Sequence, residues 1–361
     1  MSISLCMIVK NEEHSLGACL ESVKGIFDEI IVVDTGSQDG TVELAKRFTD
    51  KVYFFEWCDD FSAARNYSLS LAASDYAMWL DADDVILPHD RELLKKTVSE
   101  LGKLKPDVVF MPYNVGFDEN GKVTLSFQRE RIIKTGKGLW FEGEIHEAIP
   151  PFGRMIYSQA AVTHRKTHVN EPGRNLRIFE KMVDEGKRLS PRHKYYFARE
   201  LSWAGRLTDA LGYYKSVIED NAAWSENRIS ACAEGAAILS GMGRNFEALE
   251  MLKEALAIGS LRADIACELG RIYLLLGNPE RAKHWYLAAL EARTDGGFVT
   301  EDQKGFIPLI QLCVIHDRLG DLDKAYEFNE RAGKIKPDDQ SYLYNKRYFK
   351  EKGVTPQDYS P

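Results

Sequence analysis

A six-residue unit recurs four times in the second half of this 361-residue chain. It reads Gly205-Arg206-Leu207-Thr208-Asp209-Ala210, Gly243-Arg244-Asn245-Phe246-Glu247-Ala248, Gly277-Asn278-Pro279-Glu280-Arg281-Ala282 and Gly320-Asp321-Leu322-Asp323-Lys324-Ala325. The alanines stand 38, 34 and 43 residues apart, and each follows its glycine by five positions. Helical periodicity surrounds every copy, so each unit is a helix, a glycine turn and a second helix. A single helix pair cannot bury its apolar face, but stacked pairs bury a continuous core. Tyr213-Tyr214, Leu249 and Leu252, Trp285-Tyr286, and Tyr326 with Phe328 are expected to fill that core. Lys336-Pro337-Asp338 fits a proline that closes a unit, and the spacings of 38 and 43 require insertions, the longer holding Asp295-Gly296-Gly297. From about His193 the chain is thus an all-helical array with a concave face suited to binding or self-association rather than chemistry.

The first half has another rhythm. Ile3–Val9, Glu29–Val33 and Val52–Phe55 are apolar runs separated by helical stretches at about Ser15–Ile26 and Thr41–Phe48. Phe61–Ala73 reads as a further helix leading into Ala77-Met78-Trp79-Leu80, which stops at three carboxylates, Asp81, Asp83 and Asp84. Apolar runs alternating with helices predict a doubly wound parallel sheet. Three strand ends then share one rim, carrying Lys10 and Glu12, Asp34, and Asp81 with Asp83. Open α/β sheets bind ligands on such a rim. On an extended strand Asp81 and Asp83 point to one face, and paired oxygen donors suit a hard cation, Mg²⁺ or Mn²⁺. Asp84 reads as a helix N-cap. Neither GxGxxG nor GxxxxGK[ST] is present, so a dinucleotide fold and a P-loop lack support.

Several motifs occur in a telling order. They are Met7-Ile8-Val9-Lys10-Asn11-Glu12, Asp28 to Ser37 with Asp39-Gly40-Thr41, Phe61-Ser62-Ala63-Ala64-Arg65-Asn66, and Trp79 to Asp84. Over about the first 165 residues this set resembles the family 2 glycosyltransferases, inverting enzymes of the GT-A fold, and Asp81-Ala82-Asp83 matches their DxD motif. The resemblance implies a nucleotide-sugar donor, most simply a UDP-hexose, bound by Val9, Lys10, Asn11, Glu12, Asp34, Arg65, Asp81 and Ala82. Asp34 would hold uracil or ribose, Asp81 the ribose, Arg65 would lie near the diphosphate, and Asp83 would take the metal with Asp81.

An inverting transfer needs a base for the acceptor's proton. The matching segment here is Gly143-Glu144-Ile145-His146-Glu147, not the common Glu-Asp pair. Glu147 is the first candidate and Glu144 the second. The end of the run Met155–His164 resembles the late strand that presents a histidine to the metal, which makes His164 the expected third ligand and His146 the alternative. Arg165, Lys166 and His168 beyond it either screen phosphate or form a solvated edge.

The helical array resembles tetratricopeptide repeats. The fold class expected is therefore an α/β GT-A (nucleotide-diphospho-sugar transferase, Rossmann-like) domain, 1–172, a helical linker, 173–191, and an all-α tetratricopeptide-repeat solenoid, 192–361. This pairing is similar to the bacteriocin peptide S-glycosyltransferases, and implies a peptide or protein Cys or Ser acceptor, or a glycan, and a homodimer. Two other readings compete. A catalytically inactive scaffold would bind no nucleotide, and a sugar nucleotidyltransferase would need a glycine-rich basic loop where Lys10-Asn11-Glu12-Glu13 stands. A net charge of −8 argues against nucleic acid as a partner. The six cysteines form no CxxC pair, which favours reduced thiols in a cytoplasmic protein. No apolar run approaches the ~20 residues of a membrane span, and no basic leader precedes Ile3.

Overall fold

Ile3–Val9 forms strand β1 and is buried along nearly its whole length, as a strand covered on both faces must be. The structure, a computed structural model, describes residues 1–165, 171–292 and 299–354. It divides into two units, Met1–Leu189 and Ser190–Pro361. In the first, β1 is followed by α1 (Leu16–Ser22), β2 (Glu29–Asp34), α2 (Thr41–Ala45), β3 (Val52–Phe54), α3 (Phe61–Ser70) and β4 (Tyr76–Trp79). Then come β5 (Asp84–Val85), α4 (Pro88–Leu104), β6 (Val108–Phe117), β7 (Val123–Lys134), β8 (Met155–Tyr157), β9 (Val162–His164) and α5 (Arg174–Asp184).

The strand order is β3-β2-β1-β4-β7-β6-β9-β5, with β8 also on β6. β1 runs parallel to β2 and β4, and β2 to β3. The parallel sheet expected from the sequence ends there, because β7 is antiparallel to both β4 and β6. A parallel neighbour needs a crossover of about a dozen residues or more, and residues 118–122 supply only a tight turn. In it the Asp118 N–H donates to the Lys122 carbonyl at 2.9 Å, and Gly121 takes φ 78°. Side chains alternate across the sheet. Ile3, Leu5, Met7 and Val9 meet Tyr76, Met78, α1 and α4 on one face. Cys6, Ile31, Val33, Ala77 and Trp79 meet α3 and the loop residues Leu139, Phe141 and Ile149 on the other.

Met155–His164 holds two short strands, and its end is the late strand expected there. β8 pairs with Val108–Phe110 and β9 with Tyr113–Asn114. Pro112 lies in the gap, and proline has no N–H to give a ladder. β9 also pairs antiparallel with the two-residue β5, setting Asp84 opposite His164.

Segment 173–191, read from sequence as a linker, places α5 within the first unit. Phe179 stacks on His146 at 6.2 Å between centroids, and Lys181 Nζ reaches Asp59 at 2.9 Å.

The second unit is helical throughout its described residues: α6 (Pro191–Trp203), α7 (Leu207–Ile218), α8 (Ser225–Gly241), α9 (Asn245–Ile258), α10 (Ala263–Leu275), α11 (Pro279–Glu291), α12 (Glu301–Lys304), α13 (Phe306–Arg318), α14 (Leu322–Ile335) and α15 (Gln340–Glu351). The glycines of the repeated unit lie at the turns within the pairs α6–α7, α8–α9, α10–α11 and α13–α14. Each has a left-handed φ: 77° at Gly205, 77° at Gly243, 70° at Gly277 and 81° at Gly320. The next residue closes a six-to-one bond that ends the helix, as from the Arg244 N–H to the Leu239 carbonyl at 2.8 Å. Ala210, Ala248, Ala282 and Ala325 are wholly buried, where a larger side chain would force the paired helices apart. The longest spacing is taken up by α12 and by residues that include 295–297, which lie outside the described set, as do Lys166 and His168. No helix among the described residues is long and apolar enough to cross a membrane.

Candidate active site

The carboxyl ends of β1, β2 and β4 open onto a cavity of about 660 Å³. Val9, Lys10, Asn11 and Glu12 line it from β1, and Thr35 from β2. Asp81, Ala82 and Asp83 line it after β4, Arg65 from α3, and His164 from β9. Of the residues expected to hold a donor, Asp34 alone is not on the lining. It is buried one residue behind Thr35, and its carboxylate accepts N–H bonds from Gly36 at 3.0 Å and Ser37 at 3.1 Å. Those bonds shape the turn that follows β2. Asn11 has φ 56°; its N–H donates to Ser37 Oγ at 2.9 Å and its Oδ1 accepts from the Gln38 N–H at 2.7 Å. The β1 and β2 loops are thus tied to each other.

Arg65 joins two of the expected residues. Its Nη2 donates to Asp81 Oδ1 at 2.6 Å and its Nε to Glu147 Oε1 at 2.5 Å. The guanidinium is buried, 4.8 Å from the Trp79 ring centroid and 5.4 Å from that of Phe141. Burial alone would discharge it, but Asp81 and Glu147 outweigh that and push its pKa up. Burial likewise opposes the charge on Asp81, yet Arg65, then Arg131 and Arg129, hold its carboxyl below the usual range.

Asp81 and Asp83 diverge rather than share a face, since β4 ends at Trp79 and residues 82–83 form a turn. The turn is closed by the Asp84 N–H donating to the Asp81 carbonyl at 3.0 Å and the Asp81 N–H donating to Asp84 Oδ2 at 3.1 Å. Asp83 then faces His164, whose Nδ1 lies 3.5 Å from Asp83 Oδ1 and 3.6 Å from Asp84 Oδ1. One donor atom from each of Asp83, Asp84 and His164 lies within 4.8 Å of the others. Asp84 Oδ1 and His164 Nδ1 are buried with no hydrogen bond of ordinary length and face each other only across that 3.6 Å gap, which is costly unless something binds between them. Asp83 and Asp84 hold the His164 imidazole protonated, raising its pKa to about 10. A divalent cation between two carboxylate oxygens and an imidazole nitrogen would replace that proton, and this donor set suits Mn²⁺ or Mg²⁺.

The remaining candidates fall outside this cluster. Asp81, expected as a ligand, gives Oδ1 to Arg65. His146, the alternative ligand, has φ 51° and stacks on Phe179. Glu144 Oε1 lies 3.3 Å from Lys187 Nζ, and its carbonyl accepts the Phe61 N–H at 2.8 Å. Four residues escaped the sequence reading. Asp84 is buried at the head of β5 rather than capping a helix, and Arg131 is its ion-pair partner. A charge beside the apolar Ile132-Ile133 was the available signal. Arg174 and Arg177 of α5 line the cavity with Trp57, Asp59 and Phe61, and nothing in α5 alone announces this.

A sheet of this order, with an acidic turn after its fourth strand and a histidine returned to it by a late strand, defines a GT-A domain, and the helix pairs that follow are tetratricopeptide repeats. The chain belongs to glycosyltransferase family 2. The family model described as Glycosyl transferase family 2 matches residues 4–164, and that of the tetratricopeptide repeat matches 263–295. An uncharacterized glycosyltransferase of Rickettsia conorii is 37% identical over 228 residues, covering 56% of this chain and 76% of that one. A TPR repeat-containing protein of Synechococcus elongatus is 34% identical over 148 residues, covering 41% of this chain and 35% of its own length. The SPbeta prophage-derived glycosyltransferase SunS of Bacillus subtilis is 27% identical over 242 residues, or 63% of this chain and 56% of SunS. The chain thus spans from about a third to just over half of the first relatives it matches.

Proposed function

We propose that this protein is an inverting, metal-dependent glycosyltransferase that moves a hexose from a UDP-sugar to a peptide or protein Cys or Ser recruited by its repeats. The observation that carries the reading is the group of Asp83, Asp84 and His164, with oxygen and nitrogen donors left without a hydrogen bond of ordinary length, at a 660 Å³ cavity at the strand ends. A divalent ion bound there supplies Lewis-acid stabilisation of the departing diphosphate. Asp83 and His164 would hold it, with Asp84 beside them, while Asp81, fixed by Arg65, would meet the ribose.

Glu147 takes the proton from the acceptor O–H or S–H as that atom attacks the anomeric carbon and the C1–O bond to the nucleotide breaks. Arg65 fixes its carboxylate in place. Glu144, tied near Lys187, is the poorer candidate. The peptide acceptor rests on the similarity to peptide S-glycosyltransferases, and self-association as a homodimer is the other use of the repeat face. All six cysteines are free, in keeping with a reducing, cytoplasmic setting.

The test is calorimetric titration of UDP with Mn²⁺ and with EDTA. Binding that needs the metal and is lost in Asp83→Ala supports the reading. UDP, GDP and TDP all failing to bind would leave a scaffold whose repeats do the work.

A further inference from the structure

Two of the arginines that line the cavity, Arg174 and Arg177, lie beyond the segment matched by the family model. Asp81 and Asp83 line it as well. The family match ends at residue 164. The local packing aims these arginines. Arg174 lies over the Phe61 ring, 5.0 Å from its centroid. Arg177 Nη1 lies 3.4 Å from Asp59 Oδ1, and Lys181 Nζ lies 2.9 Å from Asp59 Oδ2. Asp59 itself has φ 62° and accepts from Trp57 Nε1 at 3.1 Å. One carboxylate therefore faces two cations of α5, and Arg174 adds a third. A guanidinium carries five N–H donors in a planar fork, so an Arg177 held through one nitrogen keeps an edge for a second anion. Glu171 also lines the cavity, which leaves the balance of Arg174, Arg177, Lys181, Asp59 and Glu171 at one net positive charge.

We propose that Arg174 and Arg177 form a phosphate seat that grips the diphosphate of the donor in the cavity that the metal-binding carboxylates also line. This rests on the donor reading above and deepens it. A nucleoside diphosphate carries more charge than one cation neutralises, and arginine forks match phosphate oxygens two at a time. When the sugar leaves, the charge that develops on the terminal phosphate is shared by the two clusters. The helix expected from sequence as a linker is then part of the donor site.

Calorimetry on the full chain with Mn²⁺ tests this, titrating UDP, UMP and uridine into wild type, Arg174→Gln/Arg177→Gln, and the single Arg177→Gln, whose side chain is about half exposed. The expected result is UDP binding weakened roughly 10- to 100-fold in the double variant, with uridine affinity unchanged and UMP between. Lysine at both positions should restore part of the loss. UDP binding in the double variant as tight as in wild type overturns the seat while leaving the donor reading intact. Equal losses for UDP and uridine overturn it too, since they mean that α5 shapes the pocket without touching phosphate. If wild type binds no nucleoside diphosphate, the donor reading and the seat fall together.

Discussion

Arg131 Nη1 and Asp84 Oδ2 form an ion pair at 3.0 Å in which both side chains are sealed from solvent. The Arg131 guanidinium lies 3.9 Å from the Trp79 ring centroid and 4.3 Å from that of Tyr113. This pair does more than fill space. By holding one oxygen of Asp84, it leaves the other to face His164, and it anchors the turn that presents Asp83.

Breaking a buried pair by removing one partner strands the other charge and costs about 3–5 kcal/mol. Arg131→Met should destabilise the first unit by that order in urea unfolding. Asp84→Asn should cost less, since its amide can still meet the guanidinium and the Asp81 N–H. A loss under 1 kcal/mol in Arg131→Met would mean that water reaches Asp84.

Glu29 anchors the opposite end of the sheet. Burial raises its pKa, but hydrogen bonds from Lys51, Ser4 and the Ala73 N–H, the last at 2.8 Å, lower it to about 2. The unfolded value is near ~4.3, so the folded pKa is depressed. The stabilisation is complete above ~4.3 and disappears as pH falls toward 2. Glu29→Gln should cost about 1–3 kcal/mol at pH 7, and the gap to wild type should narrow by about 1 kcal/mol at pH 3. A gap that stays constant from pH 7 to pH 3 would contradict this assignment.

These two anchors also mark what the sequence could tell. The central strands β1, β2 and β4 were legible because covered strands read as unbroken apolar runs. The repeats were legible because a left-handed glycine and a buried alanine recur at fixed separation. β5 was not, since two residues show no period and pair only with β9, where Asp84 meets His164 across 80 positions. Asp84 looked like a cap because its partner Arg131 lies on another strand. Asp81 and Asp83 were placed on one face by assuming an extended strand, whereas the hydrogen bonds of Asp84 turn the chain between them. α5 read as a linker because its reasons for packing, Asp59 and His146, are distant in sequence.

The repeat alanines set how closely paired helices approach. Ala282→Leu should overpack the α10–α11 interface and cost about 1–3 kcal/mol. Gly277→Ala should cost about 1–2 kcal/mol, because its φ of 70° is a left-handed conformation that a Cβ strains. The exposed Lys253→Ala serves as a control expected within ±0.5 kcal/mol. Thermal and urea melts followed by helical circular dichroism check all three, and an Ala282→Leu variant as stable as wild type would show that the pair is looser than described.

The choice between the two glutamates can be settled by separating binding from turnover. Glu147 touches Arg65, which also holds Asp81, whereas Glu144 lies near Lys187. A base acts on the acceptor's proton and contributes little to holding the donor. Glu147→Gln should therefore leave Mn²⁺-dependent UDP affinity within a few-fold while slowing UDP release from a UDP-hexose about 10²- to 10⁴-fold. Glu144→Gln should slow it less than about tenfold, since removing a surface ion pair is worth at most about 1 kcal/mol. Arg65→Lys discriminates further. It keeps the charge but loses the fork that spans Asp81 and Glu147, so binding and turnover should both suffer. A Glu147→Gln variant with wild-type turnover, beside a dead Glu144→Gln, would move the base to Glu144 and leave Arg65 with donor binding alone.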